Sequence, residues 1–138
     1  MDLTQAYPRS PSARLGGLVW LPRLIDKARA KLTNTLGEYI YNCPTDARFF
    51  EFTGISPEAF LVAVKGTYDD TGVLAWVKAR AKSWADAEIK SFNEMMASRG
   101  PSSPESQKHF DETLARIAPG RAGIRTWFML IDAEEGRV

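Results

Sequence analysis

One cysteine and one histidine are all that 138 residues offer to thiol or imidazole chemistry. An internal disulfide is excluded, and a typical zinc or di-iron site cannot be assembled around His109 alone. Neither G-x-x-x-x-G-K nor G-x-G-x-x-G occurs, so the common phosphate-cradling loops are missing, as are the G-x-S-x-G elbow and H-E-x-x-H. The longest apolar run near the start, "GGLVWLP", falls far short of the roughly 20 residues that span a bilayer. "MDLTQAYPRSPSARLGG" lacks the basic-then-apolar pattern of a secretory signal. An excess of one charge sign is also lacking: 18 basic and 17 acidic groups leave a net charge of +1, which gives no bulk attraction to nucleic acid. These absences predict a cytoplasmic protein with no metal, no cofactor, no nucleic-acid partner and no membrane partner.

What is present has the balance of one ordinary globular domain, with 44% hydrophobic and 25% charged residues. Charge is unevenly placed. Residues 1–34 carry six basic and two acidic groups, a net +4, whereas residues 38–70 carry two basic and six acidic groups, a net −4. Opposite fields on neighbouring segments are expected to attract each other, within one chain or across a homodimer.

Helical signals dominate. In "WLPRLIDKARAKL", Leu21, Leu24, Ile25, Ala28 and Leu32 share one face, and Pro22 requires the helix to begin near Leu21. The opposite ridge is Arg23, Lys27 and Lys31, with Asp26 spaced to meet Arg23 or Arg29. Thr45 reads as the cap of a short helix, "DARFFEFT", closing at Gly54; Ser56 caps the next, with Pro57 first and Gly66 just past its end. "VLAWVKARAK" sets Val73, Leu74, Val77 and Ala81 on a stripe, leaving Lys78, Arg80 and Lys82 outside it. Ser83 with Asp86, and Ser102 with Glu105, have the form of capping boxes opening two further helices. "IRTWFMLIDAEEG" is apolar over most of its circumference, as in a central helix. Only "EYIYN" has strand-like alternation. The fold class expected is all-α: a single compact bundle of six or seven short helices over 17–138, preceded by an extended N-terminal arm over 1–16.

The stretch "LGEYIYNCP" concentrates groups capable of function. With the first helix it yields a candidate pocket of Arg23, Asp26, Lys27, Glu38, Tyr39, Tyr41, Asn42 and Cys43, in a groove whose other wall is the short aromatic helix. Two readings follow. A small-molecule or protein partner binds there, or Glu38 and Asp26 act as acid and base with Tyr41 donating a hydrogen bond and Arg23 holding an anionic substrate. A solvated helix face with a hydrogen-bonded connector accounts for the same residues. Cys43 reads as a packed thiol, because cysteine is commonly buried and no histidine lies nearby in sequence. Trp76, Trp84 and Trp127 read as core or core-edge; Trp20 is free to cover a pocket.

"DLTQAYPRSP", "LGGLVWLPRLIDKARAKL", "TLGEYIYNCPTDARFFEFTGI" and "LAWV" resemble a family catalogued as Domain of Unknown Function 5069, from Asp2 to "EIKSFN". The segment "PESQKHFDETLARIAPGR" lies beyond this likeness. The resemblance implies a small bacterial cytoplasmic protein; it implies no reaction, cofactor or catalytic residue.

Overall fold

The computed structural model describes residues 1–67, 69–81 and 83–137. Seven helices follow a two-stranded hairpin: β1 (Arg14–Leu15), β2 (Leu18–Val19), α1 (Leu21–Leu32), α2 (Pro44–Thr53), α3 (Pro57–Lys65), α4 (Asp70–Arg80), α5 (Asp86–Ser98), α6 (Pro104–Ile117) and α7 (Trp127–Glu134). The architecture is a compact helical bundle with an N-terminal extension, as the periodicity predicts. Lys82 falls outside the described residues, so its place relative to the α4 stripe is not assigned.

The hairpin is the one sheet among the described residues. β1 and β2 pair antiparallel, with Leu15 opposite Leu18. Gly16 and Gly17, at φ 59° and 80°, form the two-residue turn, a conformation glycine adopts without a Cβ penalty. The hairpin is held to α5 by Asn93, whose Oδ1 accepts from Val19 N–H at 3.1 Å while its Nδ2 donates to the Gly17 carbonyl at 2.7 Å.

The apolar face of α1 forms the centre of the core: Leu21, Leu24, Ile25 and Ala28 are fully buried with Phe49, Phe60, Val73 and Val77. A smaller cluster joins Phe110 of α6 to Ile124 and Leu130. "EYIYN" forms turns rather than a strand.

Several caps differ from their sequence reading. Cys43, not Thr45, is the N-cap of α2; Pro44 follows it, and the Asp46 carboxylate accepts the Cys43 N–H at 3.2 Å. A proline at the first helical position moves the start one residue ahead of Thr45. Helix α5 begins after Ala85, whose N–H is taken by Glu88 at 3.1 Å, so Ser83 and Asp86 do not form the box. Ser103, with Ser106, replaces Ser102 and Glu105 at the start of α6. Asp69 caps α4 through Gly72 N–H at 2.8 Å, and Ser56 caps α3 as expected.

Candidate functional site

The ridge expected to face solvent faces inward. Arg23 and Lys27 are 4% and 3% exposed; the sequence hides this because each has its counter-charge far along the chain. Lys31 remains exposed. Arg23 makes a bidentate pair with Glu135, Nη1 to Oε1 at 2.9 Å and Nη2 to Oε2 at 2.7 Å. Its guanidinium lies 5.5 Å from the ring centroids of both Trp20 and Tyr39. The Tyr39 hydroxyl donates to Glu135 Oε2 at 2.8 Å, and Arg137 also pairs with this carboxylate.

Lys27 builds the second half. Its Nζ donates to Asp46 Oδ2 at 2.7 Å and lies 3.4 Å from Cys43 Sγ. Asp46 is fully buried and also accepts from Trp20 Nε1 at 2.8 Å, Asn42 N–H at 2.9 Å and Cys43 N–H. Four donors thus satisfy one carboxylate, which is how a buried charge is held. Trp20, stacked on Phe128 with ring centroids 5.7 Å apart, has Lys27 Nζ as well as Arg23 over its ring, 5.7 Å from the centroid, and has φ 74°. A left-handed backbone at so bulky a residue is strained.

Trp20, Arg23, Lys27 and Glu135 line a cleft of about 800 Å³, with Asp46 fully buried behind Lys27. The arm contributes Leu3, Thr4 and Tyr7; the α1–α2 connector contributes Glu38, Tyr39, Ile40 and Cys43; Thr45 of α2 also lines it. The remaining wall is Arg116 and Ile117 from the end of α6, with Ile131, Glu134 and Glu135 at the end of α7. The expected aromatic wall is absent because Phe49 and Phe50 are committed to the core.

Five of the eight sequence candidates line this cleft: Arg23, Lys27, Glu38, Tyr39 and Cys43. Three do not. Asp26 accepts from Arg9 N–H at 2.8 Å and Arg9 Nε at 3.1 Å, and pairs with neither Arg23 nor Arg29, which reach Glu135 and Asp70 respectively. Tyr41 donates to the Pro57 carbonyl at 2.8 Å. Asn42 is an exposed turn residue at φ 67°. Glu38 and Asp26 are therefore not brought together as an acid–base pair. Cys43, read as a packed thiol, is half-buried on the cleft wall.

The residues that sequence reasoning missed are Trp20 as a floor, Asp46, Glu135 and Arg116. Asp46 had a findable signal, since "CPTD" has an acid three residues after its cap. Glu135 had none.

Electrostatics follow from the packing. Burial opposes ionisation of Glu135, but hydrogen bonds and charge from Arg23, with Arg137 and Tyr39, hold its carboxyl below its ordinary value. Burial, then the Glu135 hydrogen bond, pushes the Tyr39 hydroxyl upward. Burial, followed by the charges of Asp46 and Glu58, does the same to Tyr41. Arg99, whose Nη1 donates to Thr45 Oγ1 at 3.3 Å, is pulled below its ordinary value by burial and then by Arg48. Among the described residues no three His, Cys, Asp or Glu side chains converge to hold a metal ion, and no helix is long and apolar enough to cross a membrane. The opposite fields of residues 1–34 and 38–70 meet within the chain, through Lys27 with Asp46 and through Arg9 and Arg29 with Asp70.

The model of the family described as Domain of unknown function (DUF5069) matches residues 5–137, and the chain belongs to that family. The match extends through α6 and α7, well past the point at which the sequence resemblance stops. No curated protein matches the chain.

Proposed function

We propose that this member of the family is a small-molecule-binding domain whose site is the cleft over Trp20. One observation carries the reading: features that oppose folding are concentrated on a single concave surface. Arg23 and Lys27 are buried charges, and removing such groups from water has a penalty of several kcal/mol per ion before pairing offsets it. Trp20 adds a strained backbone, and strain of this kind clusters at ligand sites. Cleft volume, mixed polar and apolar walls and convergent fixed polar groups are the usual marks of such sites. A bacterial cytoplasmic setting belongs to the same reading, supported by the single free thiol.

A protein partner is the second reading. Ile40 and Tyr7, 67% and 57% exposed, both line the cleft and favour it. A thermal-shift screen against metabolites separates the two. A ligand at about 100 times its dissociation constant should stabilise the native state by about 2.7 kcal/mol, and Tyr39→Ala should abolish the shift. A hit unaffected by Tyr39→Ala and by Ile117→Arg would place binding elsewhere and remove the proposal.

A further inference from the structure

The arm is fastened unevenly along its length. Its inner part, Pro8 to Ser10, is held by α1, α4 and the end of the chain. The buried Pro8 has its carbonyl capped by Arg137 Nη2, Ser10 Oγ donates to Asp132 Oδ1 at 2.9 Å, and the Arg9 carbonyl accepts from Arg23 Nη1 at 3.1 Å. Arg9 also pairs with Asp26 and Asp70, and its Nη2 reaches the Pro22 carbonyl at 3.2 Å. The outer part is a self-contained turn. Gln5 and Ala6 N–H groups donate to the Asp2 carbonyl at 3.3 and 3.2 Å, and Thr4 closes on the Asp2 carboxylate through its N–H at 2.9 Å and its hydroxyl. This turn is tied to the molecule through Thr35, whose carbonyl accepts the Leu3 N–H at 2.9 Å and whose Oγ1 donates to the Met1 carbonyl at 2.7 Å. Leu3, 6% exposed, is its one buried side chain. Gly37, at φ 60°, lets it lie close, since a Cβ there would stand 3.3 Å from the Leu3 carbonyl oxygen. Tyr7 follows the turn, 57% exposed on the cleft, with no ring or hydroxyl partner among the described residues.

Resting on the cleft reading, we infer that residues 1–7 are a strap along the cleft that opens at Leu3 while Pro8–Ser10 stays seated, admits the small molecule, and closes with Tyr7 against it. Local opening begins where a segment has few buried contacts and exposed backbone hydrogen bonds. The outer turn meets both conditions, and the inner part meets neither. Because the turn holds itself together, it moves as one unit, and the change in backbone angles falls on Tyr7, the residue between the turn and Pro8. Withdrawing Leu3 frees the arm's side of the cleft and leaves the Arg23–Glu135 and Lys27–Asp46 pairs intact. A tyrosine suits the closing role, with an apolar ring to cover the bound molecule and a hydroxyl at its wet edge.

Two measurements on the full chain test the strap. Amide hydrogen exchange by NMR should find the Leu3 N–H at least about tenfold less protected than the Arg9 N–H. Access to the cleft is read at Cys43, the only cysteine and a lining residue, by intact mass after reaction with methylmaleimide or the bulkier pyrenylmaleimide. The bulky-to-small rate ratio should be lower in native protein than in urea, because only the open strap admits the larger reagent. Leu3→Ala and, separately, Thr35→Val should each raise the native ratio at least about threefold by shifting the strap towards its open state, with the rate for methylmaleimide changed less than the ratio. Leu3 and Arg9 amides of equal protection overturn the strap and leave the cleft reading standing. So does a native ratio that neither variant moves. Failure of both reagents to label any native form overturns both.

Discussion

Lys27 Nζ and Asp46 Oδ2 lie 2.7 Å apart with side chains 4% and 0% exposed, so the floor of the cleft contains an ion pair almost wholly withdrawn from water. Removing one partner should cost about 3–5 kcal/mol, since the other charge is left buried. Asp46→Ala should be worse than Lys27→Met, because it also orphans Trp20 Nε1 and two backbone N–H groups. Urea unfolding followed by tryptophan fluorescence tests this order. A fall in midpoint at unchanged slope is expected for both, and a larger effect for Lys27→Met would contradict the network.

Acid should loosen the molecule through Glu135. Its folded pKa is depressed by Arg23, Arg137 and Tyr39 against the opposing effect of burial. The resulting stability is fully present above the unfolded value of about 4.3 and is lost as pH falls through the lower folded value. Melting temperature should therefore decline on acidification below about pH 4.3, and Glu135→Gln should show a smaller decline from a lower starting value. An unchanged acid slope in Glu135→Gln would remove this carboxylate from the account.

Asn93 should behave as a single peg between hairpin and bundle. Asn93→Ala leaves the Val19 N–H and the Gly17 carbonyl without their partner. A loss of about 2–3 kcal/mol follows from buried polar groups left unmade. Hydrogen exchange at Val19 should rise more than at Leu24 in α1. Equal changes at both would point to global destabilisation instead.

Gly16 and Gly54 separate backbone strain from crowding. Both have positive φ, 59° and 73°, but a Cβ at Gly16 would meet Leu74 Cδ1 at 2.6 Å, whereas nothing lies within 4 Å at Gly54. Gly54→Ala should cost about 1 kcal/mol from conformation alone. Gly16→Ala should exceed it, less whatever the end of Leu74 yields by rotating. Comparable losses in chemical denaturation would mean that Leu74 moves freely.

How much of this was legible depended on how far each residue's partner lies. Leu21, Pro22, Ser56, Pro57, Gly54 and Gly66 act over four residues or fewer, and their helix boundaries were readable in the chain. Arg23 and Lys27 looked like a solvated ridge because Glu135 and Asp46 lie 112 and 19 residues away. No periodicity marks a carboxylate on α7 as belonging beneath α1. The candidates that share the cleft were found from local density of polar groups, whereas its far wall, Arg116, Ile117 and Ile131, depends on tertiary packing. Cys43 was misplaced by one assumption, that Thr45 rather than the residue before Pro44 begins the helix.

The separation between Arg23 and Glu135 also sets a clock. Synthesis runs from the N-terminus at about 5–20 residues per second, so the 112 positions between them correspond to roughly 6–22 s. For that interval Arg23 lacks the carboxylate that later holds it, and the cleft cannot have its finished floor. Asp46, 19 residues from Lys27, is synthesised long before Glu135 becomes available to Arg23. The cleft floor is complete only once Glu135, the C-cap of α7, has been made.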